Sequence, residues 1–397
     1  MTNDERREAR YQRRQEKRRR NAEARTASVG TVEDAFSFDR MFRYGMKCCN
    51  NVRWKQSVQN FERHLLTNTA VSRRKVLDGT WKPKRCVSFT LCERGKMRRI
   101  DAPHITDRQV HKTLVNGVLI PLYRPHMIED NAASRKGGGL HCQCQRIKQQ
   151  LIRHFRKHGR KGAILSLDLK SFFPNANRAL IYRRHRDLIE NADLRQIADT
   201  AIRMSPRTAP GRGLALGLEL SQIEMTALPT AIDQWLKCQC HIAACGHYMD
   251  DYYIICEDVD RLKQIGRELI QRFEAAGIPV NRNKCSITPL TQSFKFCKAK
   301  FTLTKSGRIR INRCRDGMKR ARRKLKMFRR RLDAGECTMA DVETYMESQT
   351  AYYREYNDDG RLLRLRRLFH ALFKEGNNHT ADADSSSNDR YRGKENH

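Results

Sequence analysis

Residues 246–256 read Gly-His-Tyr-Met-Asp-Asp-Tyr-Tyr-Ile-Ile-Cys, and they constrain the chain more than any other stretch. Aromatic and β-branched residues around two adjacent acids predict two strands meeting at a tight turn. At such a tip Asp250 and Asp251 repel each other and lack room to solvate separately. A hard, oxygen-loving divalent cation relieves that repulsion. A solvated turn that uses Asp for its backbone preferences fits the same two acids taken alone. Residues 163–168, Ala-Ile-Leu-Ser-Leu-Asp, are an apolar run closed by an acid, which reads as a buried strand with a carboxylate at its end. A lone buried carboxylate is costly unless paired or on a metal, and the expected partner of Asp168 is the Asp250–Asp251 pair.

Other segments carry chemistry on both sides of these acids. Between Cys86 and Ile100, alternation broken at Glu93-Arg94-Gly95 predicts a β-hairpin with Lys96 and Arg98 on one face. Two cations so placed clamp a triphosphate, or merely line an exposed basic strand edge. Arg135 and Lys136 precede a run of three glycines that leads into a helix. Unshielded backbone N–H groups beside positive charge suit phosphate, and a flexible loop fits equally. Between Pro210 and Gln222, glycines precede a long apolar helix. They permit close backbone approach to a base pair and sugar, or mark a capped loop.

Charge narrows the partner. The 397 residues suffice for two or three structural units. Lys and Arg number 80 against 44 Asp and Glu, a net charge of +36, which points to nucleic acid ahead of an anionic membrane. No run approaches the roughly eighteen apolar residues of a membrane span. The charged amino terminus has no apolar segment behind it, so a cytoplasmic protein is expected. The 14 cysteines are expected as reduced thiols. Cys142 and Cys144, like Cys238 and Cys240, are spaced more closely than zinc sites use.

In order along the chain, these segments resemble the motifs of reverse transcriptases. Lys96-Met-Arg98-Arg-Ile100 after Gly95 is similar to the fingers motif of bacterial and intron enzymes. Leu167-Asp168 through Phe172-Phe173 resembles motif A, residues 210–222 motif B, Tyr248-Met249-Asp250-Asp251 motif C, the segment around Lys284 motif D, and residues 293–301 motif E. The resemblance implies that Asp168 and Asp250 hold two Mg²⁺ ions, or Mn²⁺ in their place. Asp251 has a lesser ligand role and the Leu169 carbonyl assists. It implies that Lys96 and Arg98 grip the nucleotide phosphates and that Phe173 blocks a ribose 2′-hydroxyl. Leu216, Gly217, Ser221 and Gln222 then face the nascent pair, and Lys284 protonates the leaving pyrophosphate. Arg135, Lys136, Tyr248, Met249 and Phe296 are the implied nucleic-acid contacts. Leu216 stands where a Gln usually precedes the Gly, and Gln222 replaces a Pro. That pattern is similar to reverse transcriptases of diversity-generating retroelements. Losing an amide beside the nascent pair implies error-prone synthesis, because polar contacts discriminate more sharply than apolar ones.

The implied fold is α+β, a right-hand polymerase with fingers, an antiparallel-sheet palm and a basic helical thumb. The expected organisation is a flexible basic arm over residues 1–31, helices and fingers over 32–160, where Trp54, Val58, Phe61 and Leu65 recur at the spacing of one helical face, and a palm over 161–304. A thumb over 305–374 and a disordered tail over 375–397 complete it. The implied activity is RNA-directed DNA synthesis on a template RNA, from a primer and dNTPs, with a small basic accessory protein as partner and no membrane. A retron, intron-like or phage-defence reverse transcriptase, and a non-catalytic RNA-binding protein with this fold, are the alternatives.

Overall fold

The computed structural model describes residues 3–373 apart from 94, 314 and 357; the tail expected to be disordered lies outside them. The chain divides into two compact units, Met1–Gln292 with Lys305–Gly307, and Ser293–Thr304 with the chain from Arg308 onward. The expected palm boundary at 304 thus differs from the compact boundary, because residues 293–304 cluster with the helices that follow.

In the first unit, β1 (Val87–Glu93) and β2 (Lys96–Ala102) form the antiparallel hairpin expected at the fingers motif. The central sheet contains β3 (Ala163–Asp168), β4 (Cys245–Tyr248), β5 (Asp251–Cys256) and β6 (Ser286–Pro289), all antiparallel, in the order β4-β5-β3-β6. Every residue of β5 after Asp251 is buried, which is why this strand reads as an unbroken apolar run. The amphipathic helix Val259–Ala275 covers one face. Gly266 permits its close approach, since a methyl there would sit 3.2 Å from Leu165 Cδ2. One long helical segment, Ile105–Leu114 continued by a π turn at Val115–Leu119 and by Ile120–Tyr123, follows the hairpin in the chain.

Two sequence expectations change near the amino terminus. Residues 3–29 form a helix where a flexible arm was expected. Ala, Arg, Gln and Glu favour helix, and Arg20 pairs with Glu16 at i,i+4 and 2.8 Å. Trp54, assigned to a buried helical face with Val58, Phe61 and Leu65, is 75% exposed, while the other three are buried. It precedes the helix Gln56–Arg63, and the Lys55 ammonium lies over its ring at 5.1 Å.

The second unit holds β7 (Phe294–Phe296), β8 (Ala299–Leu303) and β9 (Ile309–Arg313) in one antiparallel sheet, then three helices, Arg315–Asp333, Met339–Arg354 and Asp359–Phe373. Leu325, Val342, Met346, Leu365 and Phe369 share the helical core. The β7–β8 turn residues, Cys297 and Lys298, both have left-handed backbone (φ 45° and 67°), matching the twist of a two-residue hairpin without the usual glycine.

Two buried polar clamps fix the loop and helix that flank the sheet. Arg178, 3% exposed, donates to the carbonyls of Ile202, Ser205, Pro206 and Gly213. It thereby pins the loop that leads to Gly217. His185 lies between Asp199 Oδ1 (2.6 Å) and Glu224 Oε1 (3.1 Å), and Glu224 also accepts from Tyr123 Oη (3.0 Å) and Arg184 (3.3 Å). Burial alone would depress the imidazole, but Glu224 and Asp199 outweigh it and raise His185 to about 9. A folded-state value above the ordinary 6.5 means stabilisation that is full below pH 6.5 and lost as pH rises through about 9.

Two outcomes follow from these contacts. The melting temperature of the wild-type chain is expected to fall between pH 7 and pH 9.5 by more than that of His185→Gln, a difference worth at most about 3 kcal/mol. Parallel curves for the two proteins would remove the charged pair as a stability device. At Gly217 the backbone has φ +108°, and a methyl would sit 3.0 Å from Ile100 Cγ2. Gly217→Ala should therefore cost about 1–2 kcal/mol, read from a urea transition. An unshifted midpoint would show that the loop relaxes freely.

Candidate active site

Asp168 ends β3, and the β3–β5 register sets it directly opposite Asp251. Tyr248 pairs with Asp251 from the other side, so Met249 and Asp250 form a two-residue turn. The Leu169 N–H donates to the Asp250 carbonyl at 3.0 Å, tying the turn to the end of β3. Residues far apart in sequence thus place three carboxylates at one end of the sheet. Met249 holds φ at 55°, left-handed backbone that is costly for a residue with a bulky side chain.

The motif D segment reaches the same point. Lys284 Nζ lies 2.7 Å from Asp168 Oδ1, and Asn281 donates from its side chain to Asp168 Oδ2 (3.1 Å) and from its backbone to the Asp168 carbonyl (2.8 Å). Asn281 carried no role in the sequence reading; its place three residues before Lys284 is the only signal. Burial pushes the Asp250 carboxyl up, the Asp168 charge adds to the rise, and Lys284 and Arg98 partly offset it. The hydrogen bond to Asp168 lifts the Lys284 ammonium above its ordinary value. Among the described residues, no three His, Cys, Asp or Glu side chains converge into a cage for a metal as they stand. The donor set nevertheless fits a hard cation: three carboxylates at one sheet end, one of them desolvated and repelled by its neighbour.

Around the acids, the expected contacts separate. Arg98 acts on Asp250 electrostatically, although its guanidinium also pairs with Glu93 (2.6 Å). Lys96 stands opposite Glu93 in the hairpin and is exposed. The hairpin meets motif B where the Asp101 N–H donates to the Leu216 carbonyl (3.0 Å). Phe173 is half-buried and its carbonyl accepts from the Leu214 N–H, so motifs A and B are joined by backbone. Tyr248 and Met249 are half-buried, Leu216 likewise, and Gln222 is exposed. Three expected contacts are not offered to solvent. Ser221 is 1% and Phe296 4% exposed because each packs into a core, and Arg135 is engaged by Glu129 (2.9 Å), leaving Lys136 exposed.

A cavity of about 640 Å³ opens beside motif B, with Arg108, His111, Arg124, Lys136, Gly217 and Gln222 among its walls. His111 stacks edge-on against Trp81 (5.7 Å), and neither ring nitrogen has a hydrogen-bond partner among the described residues. Burial pushes His111 down to about 4, so the ring is neutral at pH 7. The sequence offered no signal for it beyond helical spacing.

No curated protein matches the chain. Among solved structures, it is similar to a telomerase from Candida albicans in complex with a fragment of telomeric RNA. The identity is 16% and the TM-score 0.45, over 74% of this chain and 55% of that one. It is also similar to an apo telomerase from Candida tropicalis truncated from its C-terminal domain, at 12% identity and TM-score 0.46, over 63% and 60% of the two chains. The chain therefore spans less than two thirds of the length of either telomerase. The family model described as "Reverse transcriptase (RNA-dependent DNA polymerase)" matches residues 82–299, more than half of the sequence and the segment that holds all three acids, and the chain belongs to that family.

Proposed function

We propose that this protein is an RNA-directed DNA polymerase that extends a primer on a template RNA. The observation that carries the reading is the β3–β5 register, with Asp168 against Asp251 and Asp250 in the adjoining turn. Asp168 and Asp250, aided by Asp251 and the Leu169 carbonyl, would hold two Mg²⁺ ions, with Mn²⁺ as a substitute. Bound there, the ions supply a lowered pKa for the primer 3′-hydroxyl and neutralise charge on the leaving pyrophosphate.

The chain's own residues do the rest. Lys96 and Arg98, alternate residues of β2, receive the nucleotide triphosphate. Phe173 closes the space that a ribose 2′-hydroxyl would need, which selects deoxyribonucleotides by exclusion. Lys284 carries a proton at Nζ, favoured there by the bond to Asp168, and gives it to the leaving pyrophosphate oxygen. Lys136, Gln222 and Gly217 line the cavity beside motif B where a template nucleotide would lie. In the second unit, a helix bearing Lys319, Arg320, Arg322, Arg323, Lys324 and Lys326 suits salt-sensitive tracking of a duplex backbone. A cytoplasmic setting and a small basic accessory protein remain part of this reading.

The finer reading is error-prone synthesis of the diversity-generating kind. Its support is Leu216, an aliphatic side chain whose backbone carbonyl anchors the loop at the end of the fingers hairpin. A side chain without an amide leaves the nascent pair without a polar check.

Magnesium-dependent dNTP incorporation on primed RNA is the expected activity, and Asp250→Ala should lower it by about a thousandfold or more. RNA binding without incorporation under any primed condition would favour the non-catalytic alternative. Leu216→Gln should reduce misincorporation opposite template adenine by about tenfold. Equal error rates in the two proteins would end the low-fidelity reading.

A further inference from the structure

Met249 raises a question that its neighbours answer. Gly, Asn or Asp would occupy its left-handed backbone with little strain, but Met would not. Contacts from outside the turn offset that strain. Three contacts reach it. Leu169 N–H holds the Asp250 carbonyl, and Thr226 Oγ1, on the motif B helix, lies 3.4 Å from Met249 Sδ. The third is His247 Nδ1, 3.2 Å from the Met249 carbonyl. That carbonyl belongs to the peptide joining Met249 to Asp250. Holding its plane restricts ψ of Met249 and φ of Asp250 together, and so sets the direction in which the Asp250 side chain leaves the backbone.

His247 is itself held on every side. It is fully buried, and Nε2 lies 3.0 Å from Asp233 Oδ2, on the helix Thr230–Gln234. The second Asp233 oxygen accepts from Tyr252 Oη at 3.1 Å, and Asp233 is 1% exposed. Tyr252 is the cross-strand partner of His247, and the two rings stack at 4.3 Å and 3°. The His247 backbone N–H donates to the Asp130 carbonyl at 3.2 Å. Asp233 fixes one end of the imidazole and Tyr252 its plane. Nδ1, at the other end, then faces the Met249 carbonyl, an acceptor that it serves as Nδ1–H.

We propose that His247 is the positioning residue of the acid-bearing turn, transmitting the buried anchor at Asp233 to the Met249 carbonyl and thereby aiming Asp250. The assignment rests on the polymerase reading for its catalytic consequence, but not for its geometry. An ordinary core histidine would contribute packing and stability alone. A positioning residue must also change the turn and what the acids bind.

The test compares the full-length wild type with His247→Leu, His247→Asn and Asp233→Asn. Amide exchange over residues 248–251, Mn²⁺ affinity by water-proton relaxation, and kcat and KM for dNTP on primed RNA are measured. His247→Leu should speed turn exchange and weaken Mn²⁺ by about tenfold, as losing an outer-shell partner does. Its kcat should fall about tenfold with KM for dNTP within about twofold, the pattern of an interaction used in the transition state. His247→Asn keeps an N–H at the Nδ1 position, able to reach the Met249 carbonyl, and should recover most of each loss. Should His247→Leu not fold, Asp233→Asn and His247→Asn decide by the same measurements. A His247→Leu protein that loses melting temperature but keeps turn exchange, Mn²⁺ affinity and kcat within about twofold overturns the proposal, as does His247→Asn recovering nothing. A wild type that binds Mn²⁺ yet incorporates no dNTP counts against the polymerase reading instead. In that case exchange and Mn²⁺ affinity still judge His247.

Discussion

The antiparallel pairing of β3 with β5 is the constraint on which the site depends. Side chains alternate along a strand, so a slip of one residue would turn Asp168 to the opposite face and separate it from Asp251. Such a slip is resisted from several directions. Ile164 and Leu165 pair with Ile255 and Ile254 on one side and with Thr288 and Ile287 on the other, so β3 is locked between two neighbours. Tyr252 through Cys256 are buried and cannot exchange faces without exposing aromatic and aliphatic area. The carboxylates stand at the end of this ladder, where the strands stop pairing and the chain can carry charge. Their repulsion is tolerated because the apolar register beneath them is worth more than the local electrostatic cost.

Beneath the ladder, burial of charge follows one rule: each buried ion is enclosed by partners on more than one side. Arg178 meets carbonyls from three stretches of backbone. Glu224 meets His185, Arg184 and Tyr123. Asp233 meets His247 and Tyr252. Such groups gain little net stability over apolar replacements, but leaving one partner unpaired is expensive. Their value lies in geometry. A methyl group packs well in many orientations, whereas a carboxylate with two designated donors packs in one. It is notable that Glu224 and Asp233 flank Thr226, so the helical region after Gly217 is oriented by carboxylates at two points along its length.

Much of this was legible in the sequence because it is local. The hairpin at Lys96 and Arg98, the acid-terminated strand at Asp168 and the turn at Asp250 each declare themselves within a dozen residues, by alternation and by the punctuation of Gly and Asp. What escaped depends on contacts across long separations. Asn281 contacts Asp168 across the sheet, Arg178 collects carbonyls from a loop beyond the next helix, and His111 reads as one more residue of an amphipathic helix. Trp54 misled because helical spacing cannot say where a helix begins, and this one begins after it. Phe296 misled in the other direction: its motif suggested a surface grip, but alternation in a three-residue strand turns it inward.

Charge balance at the acids shows why a salt bridge sits among them. Two unit charges 4 Å apart at an effective dielectric near 20 interact by about 4 kcal/mol, so three carboxylates at one sheet end are strongly opposed unless cations answer them. Lys284 answers at Asp168, and Arg98 acts on Asp250 from the hairpin. Neither cation is deeply buried: the Lys284 side chain is 55% exposed, and a pair so exposed contributes little to stability. A weak, exposed, single-charge counter-ion is easily displaced. A dehydrated side-chain cage would not be. The acids are thus neutralised well enough for the strand ends to stay paired, while the same carboxylate oxygens remain within reach of a competing divalent cation that brings twice the charge.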